Sequence, residues 1–307
     1  MDNITHTLTG VLLGRMGLEG RSPGAMLSLV IASNLPDADL LFSLQGPETY
    51  LAHHRDVSHS VVGAPLLAMG LAGAVSRFKK DARALPLFFV SLAAIACHVS
   101  MDLWTSYGTR VLAPFDRTFY TWDLVFIVDP WLLLLLLVAL LAAHRLDRPA
   151  PVARIALGLV LAYVGVRAVL HDRALEAGLL SVPSGPASVA RAAALPTPLS
   201  PLRWRYLADV GDAYYLGDVS VGAGAPHLWR RDKQPETAAV ARVRESSAVA
   251  GIFLGFSTFP WLRVTETAEG TEVSWTDLRF ERPERESFVA RALVDKDGRV
   301  KRESFRF

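Results

Sequence analysis

Apolar stretches crowd into residues 1–172 and thin out sharply after them, and this asymmetry constrains the fold more than any other feature of the chain. A helix crossing the hydrocarbon core of a bilayer needs about 20 mostly apolar residues. Residues 84–104, 124–143 and 155–171 reach or approach that length, and 60–76 is a shorter stretch rich in Gly and Ala. Two further stretches, at 7–18 and 24–44, precede them, and Asp129–Pro130 interrupts 124–143 near its start. The pattern predicts four crossings, or six if the first two also span. The 51% hydrophobic share and mean hydropathy of +0.28 come from this half, whereas 173–307 has the mixed polarity of a water-soluble domain. The expected fold is therefore mainly α: a polytopic transmembrane helical bundle over 1–172, then a small α+β extramembrane domain over 173–307.

Lys and Arg in short loops favour the cytoplasmic side. One cluster, Arg77, Lys79, Lys80 and Arg83, lies between 60–76 and 84–104, and another, Arg145, Arg148 and Arg154, lies between 124–143 and 155–171. Arg15 and Arg21 separate the first two stretches. With these clusters inside, the ends bearing His6, Asp37, Asp39, the 53–59 segment and Asp102 face outward, and so does the C-terminal domain. A net charge of +2 without a basic stripe gives no reason to expect a nucleic-acid partner. Cys97, the sole cysteine, reads as a small packed apolar residue. The N-terminus lacks the basic region and cleavage site of a signal peptide.

Those outward ends hold the residues able to do chemistry. His98 and Asp102 in CHVSMD are spaced i, i+4, which puts both on one face of a helix. Imidazole nitrogen and carboxylate oxygen suit zinc and other divalent first-row metals, and ionisable groups at membrane depth usually face a polar interior. HHRDVSHS, residues 53–60, places His53, His54, Arg55 and His59 just before an apolar helix, with Ser58 as its expected N-cap. Arg55 is suited to grip a phosphate or carboxylate, and His54 to protonate a leaving group. NLPDAD, residues 34–39, ends an apolar run with Asp37 and Asp39. These two carboxylates can supply one metal ligand and one supporting partner, or bridge two metals. His6, in NITHTLTG, lies among hydroxyl groups at a helix start. No nucleophilic serine elbow, P-loop or dinucleotide fingerprint points to a different chemistry.

With THTLTG, NLPDAD, HRDVSHS and HVSMDLWTSYGTRVLAPF in this order, the first 170 or so residues resemble the YdjM-like family of bacterial inner-membrane, metal-dependent hydrolases. The family pattern has Gly and Thr where this chain has Asp56 and Ser58. The second half resembles an extension found in some members, through PLRWR at 201–205 and FSTFPW at 256–261. The family is in turn distantly similar to zinc-dependent phospholipase C and S1/P1 nucleases. That resemblance implies a first metal on an Asp of NLPDAD, His59, His98 and Asp102, a second shared by His6 and Asp102, and a phosphoester substrate.

In the C-terminal half, 173–195 has helical character and leads through PTPLSP into predicted strands at 203–209, 213–220 and 271–280. A helix is expected over 236–250, and a hairpin over 287–305 that turns at Lys296–Asp297–Gly298. Trp204, Trp229, Trp261 and Trp275 read as core or interfacial residues. The expected protein is thus a multi-pass inner-membrane hydrolase using one or two divalent ions, zinc or manganese, on the extracytoplasmic side. Its expected partners are membrane lipids and a small-molecule or lipid substrate. The alternatives are a non-catalytic membrane metal-binding protein, a metal transporter, and a lipid-binding scaffold.

Overall fold

The computed structural model of the chain describes residues 1–146, 149–281 and 287–307. Arg148 of the second basic cluster lies outside the described residues. Roughly half the chain is helical, and the helices come first: α1 (Asn3–Arg15), α2 (Ala25–Ala32), α3 (Pro47–His53), α4 (Gly63–Phe78), α5 (Ala84–Leu103), α6 (Pro130–Arg145) and α7 (Pro149–Leu180). Two 3₁₀ segments, Pro36–Gln45 and Val57–His59, carry the chain out of α2 and into α4.

Among the described residues two helices, α5 and α7, are long and apolar enough to cross a membrane. The count rises to four if each bent pair is one span: α2 with Pro36–Gln45, bent by 46°, and Pro47–His59 with α4, bent by 76°. Two continuous spans are fewer than the four the sequence predicts, and the four reached with the bent pairs take in 24–44 in place of 124–143, for local reasons. The stretch 124–143 loses its first six residues because the Asp129 carboxylate caps α6, accepting from the Trp131 and Leu132 amides, with Pro130 in the first turn. What remains is a 16-residue helix. The 7–18 stretch ends at Arg15, leaving α1 with 13 residues. The shorter 60–76 stretch starts its helix late, at Gly63. Ala64, Ala68 and Ala72, four apart, form a narrow buried face of α4 that packs in one cluster with Leu87, Val90 and Ala94 of α5. Small residues at such a face let two backbones approach closely.

The C-terminal part contains two four-stranded antiparallel sheets. The first runs in the order β1 (Arg191–Pro196), β2 (Arg203–Asp209), β3 (Ala213–Ser220), β4 (Leu228–Asp232). The second runs β5 (Pro260–Thr267), β6 (Gly270–Asp277), β7 (Val289–Val294), β8 (Val300–Arg306), and α8 (Ala238–Ser246) and α9 (Ala248–Phe256) pack on it. The strands expected at 203–209 and 213–220 are β2 and β3, and the expected hairpin is β7–β8, its turn tied by the Asp295 carboxylate to the Asp297 and Arg299 amides. The helix expected over 173–195 stops at Leu180, and β1 takes up the end of that stretch. The helix expected over 236–250 is two helices, because Ser247 ends α8 and caps α9 through the Ala250 amide. Trp204 and Trp275 lie in the core, whereas Trp229 is exposed on β4.

Among the contacts that fix the sheets against the helical part are these three. Leu51 and Tyr107 are buried in the same cluster as Val240, Phe253, Phe256, Trp275 and Phe305. Arg167, buried within α7, donates from Nε to the Leu124 carbonyl (2.8 Å) and lies over the Trp204 ring at 4.2 Å. Arg279 donates from Nη1 to the Ser106 carbonyl (3.0 Å). The second sheet therefore meets the turn that follows α5, close to where the candidate ligands gather.

A candidate metal centre of Asp and His side chains

Asp37, His59, His98 and Asp102 each bring one ligand atom to a common point, although they come from the 3₁₀ segment after α2, the turn before α4, and α5. The His59 Nε2 atom is 3.1 Å from His98 Nε2, 3.2 Å from Asp102 Oδ2 and 3.3 Å from Asp37 Oδ1. His98 Nε2 is 3.3 Å from Asp102 Oδ2 and 3.6 Å from Asp37 Oδ1. Bonds of about 2.0–2.1 Å to a tetrahedral ion imply ligand–ligand edges of ~3.3 Å. The five edges above bracket that length, so the donor set fits a small divalent ion. All four side chains are buried except for a 13% exposure of Asp37, which is the open edge of the group.

The outer partners of the two imidazoles fix which nitrogen faces inward. His98 Nδ1 lies 2.7 Å from the Ser33 carbonyl, which can only accept, so Nδ1 carries the proton and Nε2 presents its lone pair. Ser58 Oγ donates to Asp39 Oδ2 (3.0 Å) and faces His59 Nδ1 at 2.9 Å, which assigns the proton of His59 to Nδ1 in the same way. Metal-binding histidines characteristically have such partners on the far nitrogen. Ser58 thus orients a ligand and does not cap α4, whose first amide, that of Gly63, donates to Ser60 Oγ.

Asp39 holds the segment together. Its carboxylate accepts from the Arg55 amide (2.9 Å) and from Ser58 Oγ, and it faces His54 Nδ1 at 2.8 Å. Asp37, Asp39 and His54 also form a second group close enough for a cation. Losing outer partners typically weakens metal binding by about 10–100-fold. Asp39→Ala is therefore expected to reduce manganese affinity at least tenfold in a titration of the purified protein. Unchanged affinity would mean that Ser58 alone suffices to orient His59.

Arg55 and His6 complete the surroundings. Arg55 has φ of 56°, unusual for a residue with a side chain, and its amide and carbonyl are held by Asp39 and Arg110. Its guanidinium reaches Asp102 Oδ1 (2.8 Å) and Thr105 Oγ (3.2 Å), so the expected anion-gripping side chain is engaged by the carboxylate that also faces the histidines. The Met1 amino group contacts the same Asp102 oxygen. Asp56, which the sequence sets beside Arg55, turns away to pair with Arg110 (3.6 Å) and Arg117 (3.4 Å), and leaves the Arg55 charge unopposed by it. His6 stacks on His98 with ring centroids 3.8 Å apart, its Nε2 is 3.4 Å from Asp102 Oδ1, and neither ring nitrogen has a hydrogen-bond partner. His53, expected within the same motif, lies tilted against Phe42, ring centroids 4.5 Å apart, and belongs to neither group of candidate ligands.

Sequence reasoning did not single out the Ser33 carbonyl, Thr105 or Tyr107. A backbone acceptor leaves no trace in residue type, and Tyr107 is recognisable only once the second sheet is seen to pack on it.

Buried His and Asp side chains among apolar helices, followed by paired β-sheets, define a membrane protein with a candidate metal centre. The family model of the YdjM inner membrane protein matches residues 1–174, and the chain belongs to that family. Residues 239–306 match the YfhP C-terminal alpha/beta plait domain. The chain is 24% identical over 308 residues to the uncharacterized protein YfhP of Bacillus subtilis (strain 168), an alignment covering 97% of this chain and 92% of that protein. No solved structure matches.

Proposed function

We propose that the protein is a multi-pass, metal-dependent hydrolase of the bacterial inner membrane that acts on a phosphoester or lipid-linked substrate at the extracytoplasmic face. In this reading residues 1–172 form the membrane-embedded catalytic part and 173–307 an extracytoplasmic domain. The observation that carries it is the convergence of Asp37 Oδ1, His59 Nε2, His98 Nε2 and Asp102 Oδ2, with both imidazoles oriented from behind. These four residues would hold zinc or manganese, and a second ion would be accommodated by Asp37, Asp39 and His54 or beside His6. A divalent ion supplies Lewis acidity that brings the pKa of water to about 7.

The remaining chemistry falls to side chains around the ion. Arg55, with Nη1 and Nη2 committed to Thr105 and Asp102, tempers the charge of the ligand carboxylate, and its unpartnered Nε is the donor it has for an anionic phosphoryl group. His54, with its Nδ1 proton held by Asp39, presents an Nε2 lone pair that can take a proton from the attacking water and return it to a leaving oxygen when no second ion occupies that position. The phosphoester class draws on the distant resemblance to phospholipase C and S1/P1 nucleases. The lipid-linked class draws on the exposed Leu40, Leu41 and Leu44, which follow Asp37 on the same 3₁₀ segment.

A hydrolysis screen over soluble phosphodiesters, phosphomonoesters and vesicle-borne phospholipids, run with added zinc or manganese, tests the proposal. Turnover is expected with at least one class, to vanish with a chelator, and to be absent in His98→Ala. Metal-dependent uptake into sealed liposomes without turnover of any probe would overturn hydrolysis in favour of transport.

A further inference from the structure

A buried ion pair of the second sheet reaches the turn that follows α5. Asp277, at the end of β6, is fully buried and binds Arg279 through its Nε (3.1 Å) and Nη2 (2.7 Å). Arg279 is itself buried, its Nη2 also reaches the Phe256 carbonyl (3.2 Å), and its guanidinium lies against Phe256 and Phe280 at 5.0 and 4.9 Å. One donor remains, Nη1, and it crosses to the Ser106 carbonyl (3.0 Å). A buried guanidinium is a rigid fork whose hydrogen bonds are directional. With its charge neutralised by Asp277, what it contributes across the contact is position.

Ser106 lies between the two residues that seat Arg55. Thr105 Oγ accepts from Arg55 Nη1 (3.2 Å) and donates to the Asp102 carbonyl (2.8 Å). The Tyr107 ring lies under the Arg55 guanidinium (5.1 Å) and edge-on to His54 (5.2 Å). The other side of Tyr107 packs on Phe256 at 4.9 Å.

We infer that the C-terminal domain is part of the metal centre, with Arg279 as a positioning residue that holds the Thr105–Tyr107 turn and thereby sets Arg55 against Asp102. This rests on the proposed metal site, and it gives the extramembrane domain a role in the site's affinity. Asp102 has one oxygen toward the histidines and one toward Arg55. Rotation or withdrawal of Arg55 frees that carboxylate to turn, and the shared oxygen moves with it.

The test uses the full-length protein in detergent, with manganese affinity read by electron paramagnetic resonance. Arg279→Met is expected to weaken binding three- to tenfold, and Arg279→Lys, which keeps the charge beside Asp277 without the fork, to weaken it by a similar amount. A double-mutant cycle separates positioning from general loosening. In a Thr105→Val background, where the turn has lost its hydrogen bond to Arg55 and keeps only the Tyr107 ring under it, Arg279→Met should have a smaller effect than in wild type. Arg231→Met, which breaks the Arg231–Glu281 ion pair between the two sheets, should leave affinity unchanged. Additive effects of Arg279→Met and Thr105→Val, or normal affinity in both folded Arg279 variants, would overturn the inference. If Arg279→Met does not fold, Arg279→Lys decides alone. Wild-type protein that binds no manganese would refute the metal site, and the inference with it; binding that is normal and indifferent to Arg279 would refute the inference only.

Discussion

Asp102→Ala is expected to abolish stoichiometric binding of zinc or manganese and to destabilise the protein by about 3–5 kcal/mol, the usual consequence of stripping one partner from a buried ion pair. Both effects come from one side chain because its two oxygens serve different neighbours. Oδ2 stands 3.2 and 3.3 Å from the His59 and His98 nitrogens, and Oδ1 meets Arg55 at 2.8 Å and the Met1 amino group. Asp102 is wholly buried and Arg55 is 3% exposed, so removing the carboxylate leaves a guanidinium without solvent or counter-charge. Asp102→Asn separates the two losses. It keeps an acceptor for Arg55 and the shape of the cavity, while lacking the anionic charge that attracts a divalent ion. Metal content should therefore fall in both variants, measured by elemental analysis after dialysis, whereas the melting temperature in detergent should fall further in Asp102→Ala. Equal metal content in wild type and both variants would dismiss the four-residue group as a metal site.

Much of this group can be read in the sequence, for a physical reason. His98 and Asp102 sit on one face of a continuous helix, where i, i+4 spacing is enough to place both, and NLPDAD and HRDVSHS announce themselves as polar interruptions of apolar runs. What the sequence conceals is which atoms are committed elsewhere. Asp37 and Asp39 are two residues apart and chemically identical, yet one faces His59 and His98 while the other is taken up by Ser58, His54 and the Arg55 amide. That division follows from the 3₁₀ winding of Pro36–Gln45, in which residues two apart point in different directions. Arg55 looks free in the sequence because its partner, Asp102, is 47 residues away. Likewise β4 and β5 were not foreseen: β4 is short and largely exposed, and β5 alternates weakly because charged residues interrupt it. The apolar excess of the first half was legible at once, but hydropathy alone does not show that Asp129 begins a helix and shortens it.

Gly63→Ala is expected to lower metal affinity on the order of 100-fold, although Gly63 touches none of the four candidate ligands. A Cβ at this position would fall 1.8 Å from the Val57 carbonyl oxygen and 2.9 Å from its carbon, both backbone atoms. The carbonyl cannot readily swing aside, because the Ser60 amide (3.2 Å) and Ser60 Oγ (2.9 Å) both donate to it. Something must therefore shift: either α4 withdraws or the Val57–His59 turn does. His59 rides on that turn and Ser58, which orients its ring, precedes it. Ligand edges of 3.1–3.3 Å around His59 Nε2 leave little tolerance, since a displacement of about 1 Å is half a metal–ligand bond. Gly70→Ala is the control. It lies on the same helix with no atom within 4 Å of its added carbon, and alanine there should stabilise α4 by up to about 1 kcal/mol. Manganese titrations of the two variants should then diverge, with Gly70→Ala indistinguishable from wild type. If Gly63→Ala binds as tightly as Gly70→Ala, the turn before α4 is not what holds His59 in place, and the ordering of the site must come from Asp39 and Ser58 alone.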